Sequence, residues 1–426
     1  MADFKKLIDN KAESAQYMID GITDVIKTCG KRGPGSEGEK KSCEFMADVL
    51  KNDCGCERAD VESFKEHPHS FLGWLNYTMT FALLGIVCFF FLPALGIALL
   101  GLGFVLMICQ FVLYRKTFDF LFPEETGHNV TAIKKCTGEV KARIFFNGHP
   151  DAAWNWPVNN KFGGAIYELH IGSSFLGALL AFILCIIATA VLGSKGAAYM
   201  TEFSLDAYTA MYGEGLFWCG IAQLVFVPGL IGMYFMWDPK TTVDGANDNL
   251  TGVLASVAVL KCLKESGVRF ENTEVAVLLT GSEEAGLRGA FAWARKHKRE
   301  IMNDGTETVF VGLETLRDWD HLNIYNRDLT GTVAHDAGAV KLLDKASAAC
   351  GRPLKHFSVF FGASDAAAVT KEGLRATCLA GMDPTPADYY HNVKDTADNM
   401  DRKTFALGLD IALEATEIFD REGAPE

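Results

Sequence analysis

No Asp, Glu, Lys, Arg or His occurs from Phe71 to Tyr114, a stretch of 44 residues. That absence excludes a water-facing surface there. One membrane crossing needs about 20 apolar residues, so the stretch fits two spans turned at Leu92-Pro93-Ala94-Leu95-Gly96. A positive excess is also missing. Lys and Arg total 40 against 53 Asp and Glu, a net charge of −13, which excludes nucleic acid as an expected partner. A disulfide framework is missing too. The 12 cysteines are scattered, with Cys88, Cys109, Cys185 and Cys219 inside apolar runs. This pattern suits free thiols in a reducing compartment. Met1 to Ser42 is polar and lysine-rich and lacks the apolar centre of a signal peptide. No internal repeat or low-complexity segment stands out.

What is present is unevenly placed. Hydrophobic residues make up 49% of the chain, and the excess is concentrated. Ile171–Ser194 is a third uncharged run and Gly215–Trp237 a fourth, with Trp74, Trp218 and Trp237 near run ends, as interfacial tryptophans lie. Four spans return the chain to its starting side. The expected organisation is an N-terminal helical part of a catalytic domain (1–68), a first transmembrane hairpin (71–114), catalytic sequence (117–170), a second hairpin (171–237) and the remaining catalytic domain (238–426). Arg115, Lys116, Lys161 and Lys240 flank the large polar side. The connection from Lys195 to Tyr212 sets one lysine against Glu202 and Asp206. The positive-inside rule therefore gives a multi-pass integral membrane protein with its catalytic domain facing the cytoplasm.

The polar pieces read as one interrupted α/β domain. Helical spacing covers Met1 to about Asn52, broken at Gly30–Ser36, with a second amphipathic segment from Glu37 to Leu50. Lys141–Asn147, Val275–Leu279, Val309–Leu313, Phe357–Phe361 and Ala376–Ala380 read as strands. Asn249–Leu263 and Gly286–Lys298 read as helices. The alternation predicts a largely parallel, mixed sheet sandwiched by helices. In such sheets sites form beyond the carboxyl ends of strands.

The chemistry-bearing residues fall at those ends. His149 and Asp151 follow one strand, Glu283-Glu284 another and Glu314 a third. Asp248 stands at a helix start, and His391 follows Tyr389-Tyr390. Each has a plain structural reading alone: an acidic turn, a helix cap, a surface histidine. Together, two imidazoles and several carboxylates suit zinc, which takes nitrogen and oxygen ligands.

In this order the blocks resemble the M28 zinc peptidases, the group of di-zinc aminopeptidases and glutamate carboxypeptidases. The blocks are Gly33-Pro-Gly-Ser36, Asn129-Val-Thr-Ala132, Gly148-His149-Pro-Asp151, Gly245-Ala-Asn-Asp248-Asn-Leu-Thr-Gly252, Glu283-Glu284-Ala-Gly286-Leu-Arg-Gly289, Gly362-Ala-Ser364-Asp365 and Tyr390-His391 with Asp395-Thr396. They cover about 300 residues outside the spans. The resemblance implies a zinc exopeptidase-like fold and two zinc ions. His149 and Glu314 would hold one ion, Glu284 and His391 the other, with Asp248 bridging. Asp151 would orient His149. A zinc-bridged hydroxide would be the nucleophile, Glu283 the general base and the Tyr390 hydroxyl an oxyanion donor. It also implies a cis peptide between Asp248 and Asn249.

The sequence departs from the family pattern in three ways. Glu314 stands where the family usually has Asp, Ala366 where many members have His, and the hairpins interrupt the catalytic domain. From Trp237 to Asp248 is 11 residues, at most about 36–40 Å extended. The expected substrate is therefore a peptide, amphipathic or membrane-associated, met at the lipid bilayer; a homo-oligomer stays open. An aminopeptidase is the primary expectation. A carboxypeptidase or dipeptidase would need a basic group, for which Arg288, Arg317, Arg327 and Arg375 are candidates. A mono-zinc glutaminyl-cyclase-like acyltransferase and a non-catalytic receptor or assembly subunit are the alternatives. The spans lack the charge that a transporter pathway would use.

Overall fold

A computed structural model describes residues 11–194, 204–359, 361–385 and 387–425. The first ten residues of the expected N-terminal helix, residues 195–203 of the connection between expected spans, and Phe360 of an expected strand lie outside the described residues. The chain forms two compact units. One comprises Met1–Pro68, Pro123–Asn155 and Pro239–Glu426, and the other His69–Phe122 and Trp156–Asp238.

The first unit is built on a nine-stranded sheet. In chain order the strands are β1 (Arg58–Glu66), β2 (Glu125–Lys134), β3 (Ala142–Gly148), β4 (Trp154–Asn155), β5 (Asp238–Thr242), β6 (Thr273–Thr280), β7 (Glu307–Glu314), β8 (Leu322–Asp328), β9 (Val333–Ala334), β10 (Lys355–Ser358) and β11 (Arg375–Gly381). The large sheet runs β1-β2-β6-β3-β7-β11-β8-β10, with β9 beside β8, while β4 and β5 make a separate ribbon. The central strands β6, β3, β7 and β11 are mutually parallel. Antiparallel strands flank them, β2 on one side and β8 on the other. The sheet is thus mixed, with a parallel centre, as the sequence predicts.

Alternation along the central strands makes two cores. Ile144, Phe146, Val275, Val277, Leu279, Val309, Val311 and Leu313 share one buried cluster with Met18, Met46, Leu254, Leu342 and Phe405 from helices. Phe145, Ala276, Leu278, Phe310, Ala376 and Cys378 face the other way, against Trp293, Ala294 and Val369. Every residue of β6 is buried, the expected state of a parallel strand covered on both faces. The strand expected at Phe357–Phe361 lies earlier, at Lys355–Ser358, and its pairing with β8 shifts register between Phe357 and Ser358. β1 carries alternating charge and is half-exposed, so it gives little apolar signal.

Register places the strand ends. Gly148 of β3 is level with Leu279 of β6, and Asn147 with Gly312 of β7. The loops after β3, β6 and β7 therefore leave the sheet at one edge. The helix Leu250–Ser266 starts there too. Asn249 caps it by accepting from the Gly252 N–H at 2.9 Å, and Gly267 ends it in the left-handed conformation. Gly252 lies so close to β7 that a Cβ would stand 1.9 Å from the Leu313 carbonyl oxygen. That contact sets the helix start hard against the strand ends.

Among the described residues the second unit contains four helices long and apolar enough to cross a membrane by length and composition: Ser70–Phe91, Pro93–Val112, Gly164–Ser194 and Glu214–Phe235. The first pair turns at Leu92-Pro93, with Pro93 at the first helical position, where its missing N–H costs nothing. Close packing uses glycine: a Cβ on Gly85 would meet Leu100, and one on Gly96 would meet Cys185. The third helix begins before its uncharged run and so includes Glu168 and His170. His170 Nε2 lies 2.9 Å from the Gly229 carbonyl oxygen of the fourth. Many large side chains point outward, among them Val87, Val105, Leu176, Val225 and Phe235.

Candidate functional site

Five side chains, four from loops and Glu314 from the end of β7, meet at the strand edge of the first unit. His149 Nε2 lies 3.4 Å from Asp248 Oδ1 and 3.5 Å from Glu314 Oε1. His391 Nε2 lies 3.1 Å from Asp248 Oδ2 and 3.1 Å from Glu284 Oε2. Asp248 thus offers one oxygen to each imidazole. His149, Asp248 and Glu284 bring donor atoms within 4.8 Å of one another, a grouping that could hold a metal ion. The predicted residues His149, Asp248, Glu284, Glu314 and His391 are therefore together. Glu283 is beside them, with Oε2 at 3.9 Å from His149 Nε2 and a side chain 12% exposed against 6% for Glu284. Tyr390 stacks on His391 at 3.8 Å between centroids.

The supports are polar and buried. Asp151 accepts from the N–H groups of Glu283 and Glu284, at 3.2 and 3.1 Å, and its Oδ1 lies 3.4 Å from His149 Nδ1. One carboxylate therefore ties the β3 loop to the β6 loop. Asp395 accepts from the backbone of Asn247 and Asp248 and from the Asn247 amide. The Asn249 amide donates to the Leu313 carbonyl and accepts from Thr315 N. The Asp248–Asn249 peptide is cis, as expected. Ser282, Thr315 and His391 have φ of 55°, 42° and 52°, a region that non-glycine residues enter mainly where surrounding contacts hold them.

Electrostatics test whether these residues fit a cation. Burial alone would lower the His149 pKa, yet Glu314 and Glu283 beside it push it well above the ordinary imidazole value. Burial also opposes the His391 charge, but Glu284 and Asp248 push its pKa up to about 10. Burial raises Glu283, Glu284 and Glu314, and neighbouring carboxylates raise them further. Burial and like charges push Asp365 to about 7. Glu284 Oε1 is buried with no hydrogen-bond partner among the described residues. A cage so rich in carboxylate, with imidazoles drawn toward the charged form, has the donor chemistry of a divalent-cation site. The residues fit zinc.

The sequence reading gave two structural supports no role: Arg32, which it did not single out, and Asp365, which it named only within a motif block. Arg32, fully buried, donates to the carbonyls of Pro150, Asp244 and Gly245. It straps the His149 loop to the Asp248 loop. In sequence it is one arginine in a glycine-rich break, with no sign of partners more than a hundred positions away. Each buried carbonyl left unpaired costs about 1–3 kcal/mol. Arg32→Ala is therefore expected to lower thermal stability and weaken metal retention together, measured by melting and metal analysis of one preparation. Asp365 is the second. It accepts from the Thr280 hydroxyl at the end of β6.

The four arginines proposed for carboxylate recognition are now placed. Arg317 is held by Asp318 and Asn399. Arg375 begins β11 and pairs with Glu307 and Asp336, at the sheet edge opposite the cluster. Arg327 donates to the Gly331 carbonyl, and Arg288 is buried at a helix start.

A parallel-centred sheet with a buried imidazole–carboxylate cluster at its strand ends is an arrangement suited to a divalent-cation site. Residues 236–416 of the chain match the profile described as Peptidase family M28. No curated protein sequence matches. Among solved structures, the zinc aminopeptidase BSAP of Bacillus subtilis is similar at TM-score 0.53 and 13% identity, covering 96% of this chain and 94% of that one. The aminopeptidase of Aneurinibacillus sp. strain AM-1 is similar at 0.54 and 13%, covering 95% and 93%. A glutaminyl cyclase of an Acidobacteriales bacterium is similar at 0.52 and 14%, covering 96% and 96%. At these identities the likeness concerns the fold.

Proposed function

We propose that the protein is a membrane-embedded di-zinc aminopeptidase. The observation that carries this reading is Asp248, whose two carboxylate oxygens face different imidazoles. His149, Glu314 and Asp248 would hold one ion, and His391, Glu284 and Asp248 the other. Bound zinc supplies Lewis acidity, polarising a carbonyl and acidifying water. Asp151 fixes the His149 ring and the turn beneath Glu283. Glu283 is the general base: it is the more solvent-reached member of its pair, and burial with nearby carboxylates raises its proton affinity. It takes the proton of the attacking water and returns it to the leaving amine. Tyr390, stacked on His391, would donate to the oxyanion.

The choice of amino end rests on charge. Arg317, Arg327 and Arg375 are engaged with partners of their own, which disfavours recognition of a substrate carboxylate and so favours the amino end. The cyclase-like neighbours make cyclisation of N-terminal glutamine the second reading. One experiment separates them: digestion of a peptide series with free, acetylated and glutamine amino ends, following released amino acid and ammonia. Trimming of free amino ends only is the expected result. Ammonia release without trimming would overturn it.

The four apolar helices are read as membrane spans, with the catalytic unit cytoplasmic and a peptide substrate close to the bilayer. Protease added to sealed, right-side-out membranes is expected to spare the catalytic unit. Digestion of that unit there would reverse the orientation.

A further inference from the structure

Behind the Glu283–Glu284 turn lies a second pair of buried carboxyl groups. Glu39 and Glu66 are 0% and 1% exposed. The Ser282 hydroxyl oxygen stands 2.5 Å from Glu39 Oε2 and 2.5 Å from Glu66 Oε1. A hydroxyl has one proton to give. Once it is given to one carboxylate, the other oxygen can remain at that distance only by donating a proton of its own. The donor census says which. Glu39 also accepts from the Gly35 and His128 N–H groups, at 3.0 and 2.9 Å, so it suits the ionised form. Glu66 Oε2 is buried with no hydrogen-bond partner among the described residues. The chain of donation runs from Glu66 to Ser282 to Glu39.

This chain bears directly on the turn. Ser282 is held at φ 55°. Its neighbour Gly281 is so close that a Cβ would stand 2.8 Å from Glu39 Cδ and 2.3 Å from the His128 carbonyl oxygen. The Ser282 carbonyl accepts from Arg288 N at 3.1 Å. On the far side, Asp151 receives the next two N–H groups. The turn is thus gripped by carboxyl groups on both sides.

We propose that Glu66, Ser282 and Glu39 are positioning residues that clamp the Glu283–Glu284 turn through one shared proton, and that the turn loses its hold when this proton leaves. The charged and titratable groups facing the pair come from every neighbouring element. Asp151 lies beyond the turn, Arg288 on the following helix, Cys43 on the helix of Glu39, His128 on β2, and Glu125 across from Glu66 in register. Burial and Glu39 push the Glu66 carboxyl well above its ordinary value, with Arg288 opposing. A folded pKa raised above the unfolded one gives stability that is full below the unfolded value, about 4.3. That stability is lost as pH rises through the folded value.

Glu66→Gln tests the clamp, because the amide N–H donates to Ser282 but cannot ionise. The infrared spectrum of the full chain in detergent should contain a protonated-carboxyl band at neutral pH that is missing from the variant. The melting temperature of the natural protein should fall with rising pH more steeply than that of Glu66→Gln. The alkaline limb of turnover, each profile scaled to its own maximum, should move to higher pH in the variant. Ser282→Ala should lose about tenfold in kcat with KM within about twofold, as expected for a misplaced reacting group. An unchanged band, or equal pH slopes of melting, overturns the clamp, and so does a Glu66→Gln chain that cannot fold. Only the turnover measurements rest on the peptidase reading. Band and slope as expected, with no peptide cleaved, would keep the clamp and sink that reading.

Discussion

Replacing Glu283 by Gln is expected to lower kcat by about 10²–10⁴-fold, the usual worth of a positioned general base, while the metal content stays as in the natural protein. The two parts belong together. Glu283 stands 3.9 Å from His149 Nε2, farther than Asp248 or Glu314, so it is the carboxylate that the cluster can spare as a ligand. Its carboxyl is raised by burial first and by Asp365, Glu284 and Glu314 after that, against the pull of His149. Removing that charge relieves like-charge repulsion. The melting temperature of the variant should therefore equal or exceed that of the natural protein, the behaviour of a group kept for chemistry at some cost in stability. KM should change little, since the base acts mainly in the transition state. Steady-state kinetics, metal analysis and melting on one preparation check all three. A kcat within threefold of the natural value would remove Glu283 from the mechanism.

The parts of this site legible in the sequence share a physical reason. Glu283-Glu284 follows a wholly buried strand, and two carboxylates leaving such a strand are costly without a cation. His149, Asp248 and Glu314 are legible for the same reason, since the topology of a parallel sheet sends their loops to one edge. The four apolar helices are legible because absence of charge over about 20 residues is rarely accidental. What was hidden depends on distance along the chain. Glu66 ends a strand of alternating charge, and Glu39 lies in a first helical turn beside Glu37, where acidic residues are ordinary. Their partner Ser282 is more than 200 residues away in sequence. Arg32 meets carbonyls, which leave no mark in a sequence at all. The start of the third apolar helix was hidden differently. Glu168 and His170 end the uncharged run without ending the helix.

Removing ligands one at a time should count the ions. The natural protein is expected to hold two zinc ions per chain, His149→Ala one and His391→Ala one, because each imidazole stands over its own carboxylate, Glu314 or Glu284. Asp248→Ala should hold fewer than either, since both imidazoles face it, one at each oxygen. A cyclase-like site with a single ion predicts a different series: one ion in the natural protein, and no loss from one of the two histidine variants. Stability should follow the count. Saturation at about 1,000 times Kd is worth about 4 kcal/mol to the folded state. At roughly 2–4 °C per kcal/mol for domains of 150–250 residues, chelation should lower the melting temperature by roughly 10 °C, and added zinc should restore it. The asymmetry of the cluster gives the series its force. Without cations the buried carboxylates repel one another and draw the imidazoles toward the charged form. An Asp248→Ala chain should therefore respond little to chelator or zinc, while each histidine variant should retain part of the response.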